Sequence, residues 1–298
     1  MKKQIVLCAF LLALITSTAV AQTAPATNDW KPVEQAIGRS GQQQPDGAYK
    51  FSFPRGDLKV TVGDVELKPA LALGGWVAFS KPGEDSMIMG DLVLTEDEVA
   101  PLMSFLEGKN VQITALHNHL LHESPRVMYM HVGAHGDAVT LAGTIKDAIA
   151  LTKAPAPKPP AAAQQDLGID TAAIQQALGH DGKVNGGVFQ VSVPRQESVT
   201  EGGMKVPGSM GLSTSLNFQP TGGGKAAITG DFVLIGSEVN PVIQALRSNG
   251  IEVTALHSHM LDEQPRLFFM HFWANDDAVK LAKGLRAAID KTNSKKGK

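Results

Sequence analysis

Apolar residues recur at helical spacing near the end of the chain's first half, where Ala138, Leu141, Ala142, Ile145, Ala148 and Ile149 fall on one face of residues 137–152. The same pattern returns over residues 277–292. Upstream, a short helix is predicted to end near Gly38, with Gly179 as its counterpart. Strands are predicted near residues 49–53, 58–62, 75–80 and 86–94. Thr95 with Glu98 three residues on forms a capping box, opening a helix over residues 96–108. A strand over 111–121, a turn at Glu123-Ser124-Pro125 and a strand from Arg126 to about Val132 precede the last helix. Strands interleaved with helices and hairpins predict an α+β fold, a mostly antiparallel sheet with helices packed on one face.

This pattern occurs twice. Residues 113–131, ITALHNHLLHESPRVMYMH, and 253–271, VTALHSHMLDEQPRLFFMH, are identical at eleven of nineteen positions. Phe53-Pro54-Arg55 aligns with Val193-Pro194-Arg195, Gly90-Asp91 with Gly230-Asp231, Glu98 with Glu238 and Pro101 with Pro241. A period of 140 residues is too long for a solenoid and denotes two whole tandem domains. They are predicted over residues 28–153 and 166–292, each large enough for its own core and packed together within the chain. Between them, residues 154–165 contain the run APAPKPPAAA, an extended spacer. Residues 293–298, rich in lysine, read as a frayed, solvated tail.

Residues 1–21 carry Lys2 and Lys3, an apolar stretch from Ile5 to Ile15 and an Ala19-Val20-Ala21 cleavage site. They read as a secretory signal peptide, so a periplasmic or secreted protein with no later membrane span is expected. Cys8, the only cysteine, lies inside that segment. The mature chain would therefore have no disulfide, thiolate ligand or cysteine nucleophile. The 298 residues are 43% apolar and 19% charged, a globular composition. Removing Lys2 and Lys3 from the 27 basic residues leaves 25 against 29 acidic, a net of −4. With aromatics at 5% and no basic block, nucleic acid is not an expected partner.

The candidate chemistry lies in histidine. Eight of the nine fall within residues 117–135 or 257–271. His117, His119 and His131 are matched by His257, His259 and His271, and Glu123 and Arg126 by Glu263 and Arg266. On a strand, residues i and i+2 project from one face about 6.6 Å apart, close enough for two imidazoles to share an ion. Each domain is thus predicted to hold a divalent metal: His117, His119, Glu123 and His131 in the first, His257, His259, Glu263 and His271 in the second. Such a donor set suits Zn, Mn or Fe, while copper would need Met128, Met130, Met260 and Met270, which read as core fillers. Asp91 and Asp231 would orient the imidazoles from behind or mark turns. Arg126 and Arg266 would clamp a small anionic ligand or pair with an acid such as Glu123.

A metal-lowered water pKa with Glu123 as general base would make the site hydrolytic. If the histidines merely hydrogen-bond in a core, the chain is an interaction module. His122, His135 and His180 have no histidine counterpart and read as surface residues. H-E-x-x-H and G-x-S-x-G are absent from the sequence. Gly222-Gly223-Gly224-Lys225 lacks the rest of a phosphate loop and reads as a hairpin.

The stretches ALHNHLLHESPRVMYMH and ALHSHMLDEQPRLFFMH, followed by GDAVTLA and DDAVKLA, resemble the bacterial LppY/LpqO family, named for mycobacterial lipoproteins. The resemblance covers both copies. It implies an envelope or secreted protein without an assigned activity, although this chain lacks a suitably placed lipidation cysteine.

Overall fold

The computed structural model describes residues 29–156 and 166–297. The predicted signal peptide and residues 157–165 of the predicted linker lie outside them. In the first domain the order is α1 (Lys31–Ile37), β1 (Gln42–Gln43), β2 (Tyr49–Pro54), β3 (Thr61–Val62), β4 (Val65–Glu66), α2 (Pro69–Ala72), β5 (Gly74–Phe79), β6 (Ser86–Leu94), α3 (Glu96–Glu107), β7 (Gln112–His117), β8 (Glu123–Ser124), β9 (Met128–Gly136) and α4 (Ala138–Ile149). The second domain runs α5 (Thr171–Leu178), β10 (Gly182–Asn185), β11 (Val188–Pro194), β12 (Thr200–Glu201), β13 (Met204–Lys205), β14 (Ser213–Gly222), β15 (Lys225–Ile235), α6 (Val239–Ser248), β16 (Glu252–His257), β17 (Leu267–Asp277) and α7 (Ala278–Ile289). Each domain builds one six-stranded antiparallel sheet, in the orders β1-β2-β5-β6-β9-β7 and β10-β11-β14-β15-β17-β16.

Capping chemistry sets the helix starts. Thr95 and Glu98 form the expected capping box at α3, and Asp137 and Asp277 accept the Thr140 and Lys280 backbone N–H groups at 2.8 and 2.7 Å. Gly38 and Gly179 end α1 and α5 in the left-handed region, at φ 77° and 71°.

Alternation in the strands separates two cores. In β6, Ile88, Leu92 and Leu94 meet the apolar faces of α1, α3 and α4, while Met87 and Met89 face the other way. There they join Val233, Met260, Leu267 and Phe269 of the second domain. A companion cluster brings Val93, Leu120 and Tyr129 against Val188, Ala227 and Trp273. The helix-free sheet faces therefore pack on each other, giving layers of helices, sheet, sheet and helices. Covering both faces explains why all nine residues of β6 are buried. Polar bonds also cross the interface: Gln219 accepts from Lys68 N at 2.8 Å and donates to Glu66 O at 2.7 Å, and Asp46 accepts from Ser209 N and Oγ.

Three local expectations change. The strand expected over 58–62 shrinks to β3, which leaves the main sheet to pair with β4 and with β8 at the expected turn. The strand expected to continue to Leu121 stops at His117. The tail is held: Lys295 N donates to Pro194 O and Asn293 N to Glu238 Oε1.

The repeat-matched Arg55 and Glu98 form a buried ion pair, Nη1 to Oε2 2.6 Å, and Arg195 and Glu238 repeat it at 2.7 Å. Burial raises the Glu98 pKa, but bonds from Arg55, Lys153 N and Thr95 N outweigh it and hold the carboxyl below its ordinary 4.5. Asp57, also bound to Arg55, is lowered in the same way against its own burial. A folded-state pKa below the unfolded one stabilises above the unfolded pKa and loses that contribution as pH falls through the folded one. Stability measured by urea titration is therefore expected to decline from about pH 4.5 downward, and to decline less steeply in Glu98→Gln. Equal slopes in both proteins would refute this role.

Candidate metal centre

A one-residue irregularity aims the histidines. Along β7, Ile113 pairs with Val132 and Ala115 with His131, so Thr114 is an extra residue in the ladder. This β-bulge reverses the alternation: Ile113 packs beneath the helices, while His117, opposite Tyr129, shares a face with His131. Without it His117 would point into the helix-side core. Thr254 is the matching bulge between Val253 and Ala255. The two threonines bond reciprocally across the interface: Thr114 Oγ1 donates to His259 O at 2.7 Å and Thr254 Oγ1 to His119 O at 2.5 Å. Each bond ties one domain's bulge to the other domain's histidine loop. Thr114→Val and Thr254→Val are each expected to cost about 1–3 kcal/mol, since a buried carbonyl loses its donor. Chemical denaturation checks this; a loss under a few tenths would contradict it.

The six repeated imidazoles meet at this interface. Ring centroids of His117 and His257 lie 3.7 Å apart, His119 and His271 3.7 Å, and His131 and His259 3.9 Å, every pair stacked and drawn from both domains. Tyr129 stacks outside His119 at 3.3 Å and Phe269 outside His259 at 3.4 Å, so two equivalent triple stacks flank the centre. His271 Nδ1 lies 2.6 Å from Gly230 O, and His131 bonds Gly90 O likewise. A carbonyl only accepts, so His271 Nδ1 carries the proton and its Nε2 presents its lone pair. A Cβ on Gly230 would sit 1.8 Å from Ser215 O and one on Gly90 2.8 Å from Trp76 O, so only glycine fits at either carbonyl.

Asp91 and Asp231, mid-strand in β6 and β15, complete the cluster. Asp91 carboxylate oxygens lie 3.5 Å from His119 Nε2 and 3.9 Å from His131 Nε2, and Asp231 Oδ2 lies 3.1 Å from His259 Nε2. Burial, then the nearby Asp231, pushes the Asp91 carboxyl up to about 8; burial pushes Asp231 to about 6. All six imidazoles are driven down, first by burial; for most of them neighbouring histidines add to it, and for His271 its contacts with Asp231 and Gly230 O oppose it. Polar atoms here are buried without a hydrogen-bond partner: Nε2 of His119, His131 and His259, both nitrogens of His257, and Oδ1 of Asp91 and Asp231. Among the described residues, four groups offer three ligand atoms within 4.8 Å of one another: His117/His131/His257, His117/His119/His271, Asp91/His119/His131 and Asp231/His257/His259.

Glu123 and Glu263 belong to none of these groups. Glu123 Oε1 accepts from Val127 N at 3.1 Å, and burial raises its carboxyl to about 7. Glu263 accepts from Leu267 N at 2.8 Å and pairs with Arg266 at 3.2 Å. Both glutamates thus hold the turn entering β9 or β17. Arg126 lines a surface cavity of about 300 Å³ with Glu123 and His122. Met130 and Met270 point into the helix-side cores and Met260 into the interdomain cluster. His119 lies beyond the end of β7, so a loop rather than strand pleating brings it to the centre. The repeated Thr in TALH, beside two H-x-H motifs, was the available sign of the bulge.

Fold and site together define a duplicated α+β protein whose halves close around a shared histidine–aspartate cluster. The chain belongs to the family described as Domain of Unknown Function (DUF1259), whose model matches residues 31–151 and again 172–291. No curated protein matches the chain. Among solved structures, EtuB from Clostridium kluyveri aligns over 84% of this chain and 90% of its own at 8% identity and a TM-score of 0.19, a likeness that carries no argument. No helix among the described residues is long and apolar enough to cross a membrane.

Proposed function

We propose that this protein binds divalent metal at a centre built jointly by its two domains, and that it does so in the cell envelope or outside the cell. One observation carries the reading: six imidazoles and two carboxylates converge, and five of the imidazoles and both carboxylates hold buried nitrogen or oxygen atoms without a hydrogen-bond partner. Leaving such atoms unpaired costs about 1–3 kcal/mol each, a cost that a cation on the same atoms removes. Neutral imidazole with carboxylate suits Zn, Mn or Fe. The centre borders solvent, because His117 and His257 are partly exposed. The envelope assignment rests on the signal-like residues 1–21 and the resemblance to LppY/LpqO proteins.

The test is metal content after dialysis against zinc and then buffer. The wild type is expected to retain metal, and His119→Ala with His259→Ala to lose it. Retention unchanged in that variant, or none by the wild type under replete conditions, would favour an interaction module with histidines serving packing alone.

A further inference from the structure

We propose that the centre holds two divalent ions side by side, one on Asp91, His119 and His131 and the other on Asp231, His257 and His259, with a small oxyanion bridging them. This rests on the metal-binding reading and specifies its stoichiometry and ligand.

The four candidate groups overlap, and groups that share a side chain cannot both be filled when each ring offers one nitrogen. Two combinations are free of overlap. One joins His117/His119/His271 to Asp231/His257/His259 and leaves the buried Oδ1 of Asp91 without a partner. The other supplies each ion with one carboxylate and two imidazoles, a facial set that leaves coordination positions open. Leaving that buried oxygen unsatisfied is the costlier choice, since His117 and His271, left over in the second, face one another, and this selects the second. His117 and His271 are then spare, with Nε2 atoms 3.4 Å apart. His271 Nε2 bears a lone pair, so His117 Nε2–H donates to it, and the pair braces the two domains beside the ions.

Charge then identifies the ligand. Two divalent ions bring four positive charges, Asp91 and Asp231 cancel two, and the buried imidazoles are neutral. Lys50 lies close by, its Nζ 3.8 Å above the Trp76 ring; burial pushes its pKa down to about 8, and when protonated its charge acts on Asp91 and His259. A surplus of positive charge in a poorly hydrated site attracts an anion with oxygen donors for both metals. His117 and His257 are partly exposed, so the centre borders solvent.

Cu(II), a strong-binding probe, titrated into the full chain is expected to give two equivalents and a spin-coupled pair with a half-field resonance. Asp91→Asn and Asp231→Asn, isosteric and checked for folding by circular dichroism, should each take up one equivalent with an isolated spectrum. Inorganic phosphate should bind the zinc-loaded wild type, at least tenfold more weakly either one-ion variant, and not the metal-free protein. One equivalent with an isolated spectrum in the wild type overturns the pair and leaves metal binding standing. No uptake at all removes the metal-binding reading itself. Phosphate that fails to bind the two-ion protein, or binds regardless of metal, overturns the bridging anion.

Discussion

Zinc is expected to raise the unfolding free energy by about 2.7 kcal/mol per ion bound at a hundredfold excess over Kd, and about 4.1 kcal/mol per ion at a thousandfold. The smaller figure corresponds to roughly 5–10 °C in Tm for a protein approaching this size. Each of the three closest imidazole stacks takes one ring from either domain, so ions held on these rings lie in the seam between two sheets that otherwise meet through apolar contacts and a few hydrogen bonds. Calorimetry of the zinc-loaded protein should show a single transition displaced upward. Chelation should restore the metal-free profile, and His131→Ala with His257→Ala, which removes one ligand from each ion, should abolish the displacement. Two transitions, of which zinc shifts one, would mean that only one of the two domains holds metal.

Arg55→Met is expected to cost about 3–5 kcal/mol, the penalty for leaving a buried charge without its partner. Arg55 is 1% exposed and divides its donors among Asp57, Glu98 and the carbonyl of Val93. Glu98 in turn holds the backbone of Thr95 at the start of α3 and of Lys153 after α4. Losing the guanidinium therefore loosens a strand end and two helix ends together. Arg195→Met should have a similar effect on the second domain, where Glu238 and Glu197 play the same parts. Arg126→Met, at an exposed arginine, should stay within about 0.5 kcal/mol. Equal effects at Arg55 and Arg126 would refute the buried-pair account.

Both arginines illustrate how far one chain can be read. Pro54-Arg55 and Glu98 were visible as positions shared by the two copies, but they lie 43 residues apart and nothing local pairs them. The histidines behave likewise. Spacing within ALHNH and ALHSH selects His117, His119, His257 and His259, and duplication adds His131 and His271. Spacing also favoured Glu123 and Glu263, because they follow H-x-H at a familiar interval. The fold uses those carboxylates to receive the backbone N–H groups of Val127 and Leu267. Asp91 and Asp231 come forward in their place, because β6 and β15 run beside β9 and β17 and set Asp91 opposite His131 and Asp231 opposite His271.

Local patterning was enough for the α+β class, the duplication, the capped helices and the identity of the six histidines. These depend on periodicity, caps and self-similarity, which are properties of short stretches. Three things were decided only in three dimensions: the meeting of the two helix-free sheet faces, the threonine bulges that turn His117 and His257 toward that interface, and the merging of two expected sites into one centre. An inserted ladder residue shows itself only against its partner strand, and a surface shared by two domains exists only once both have folded.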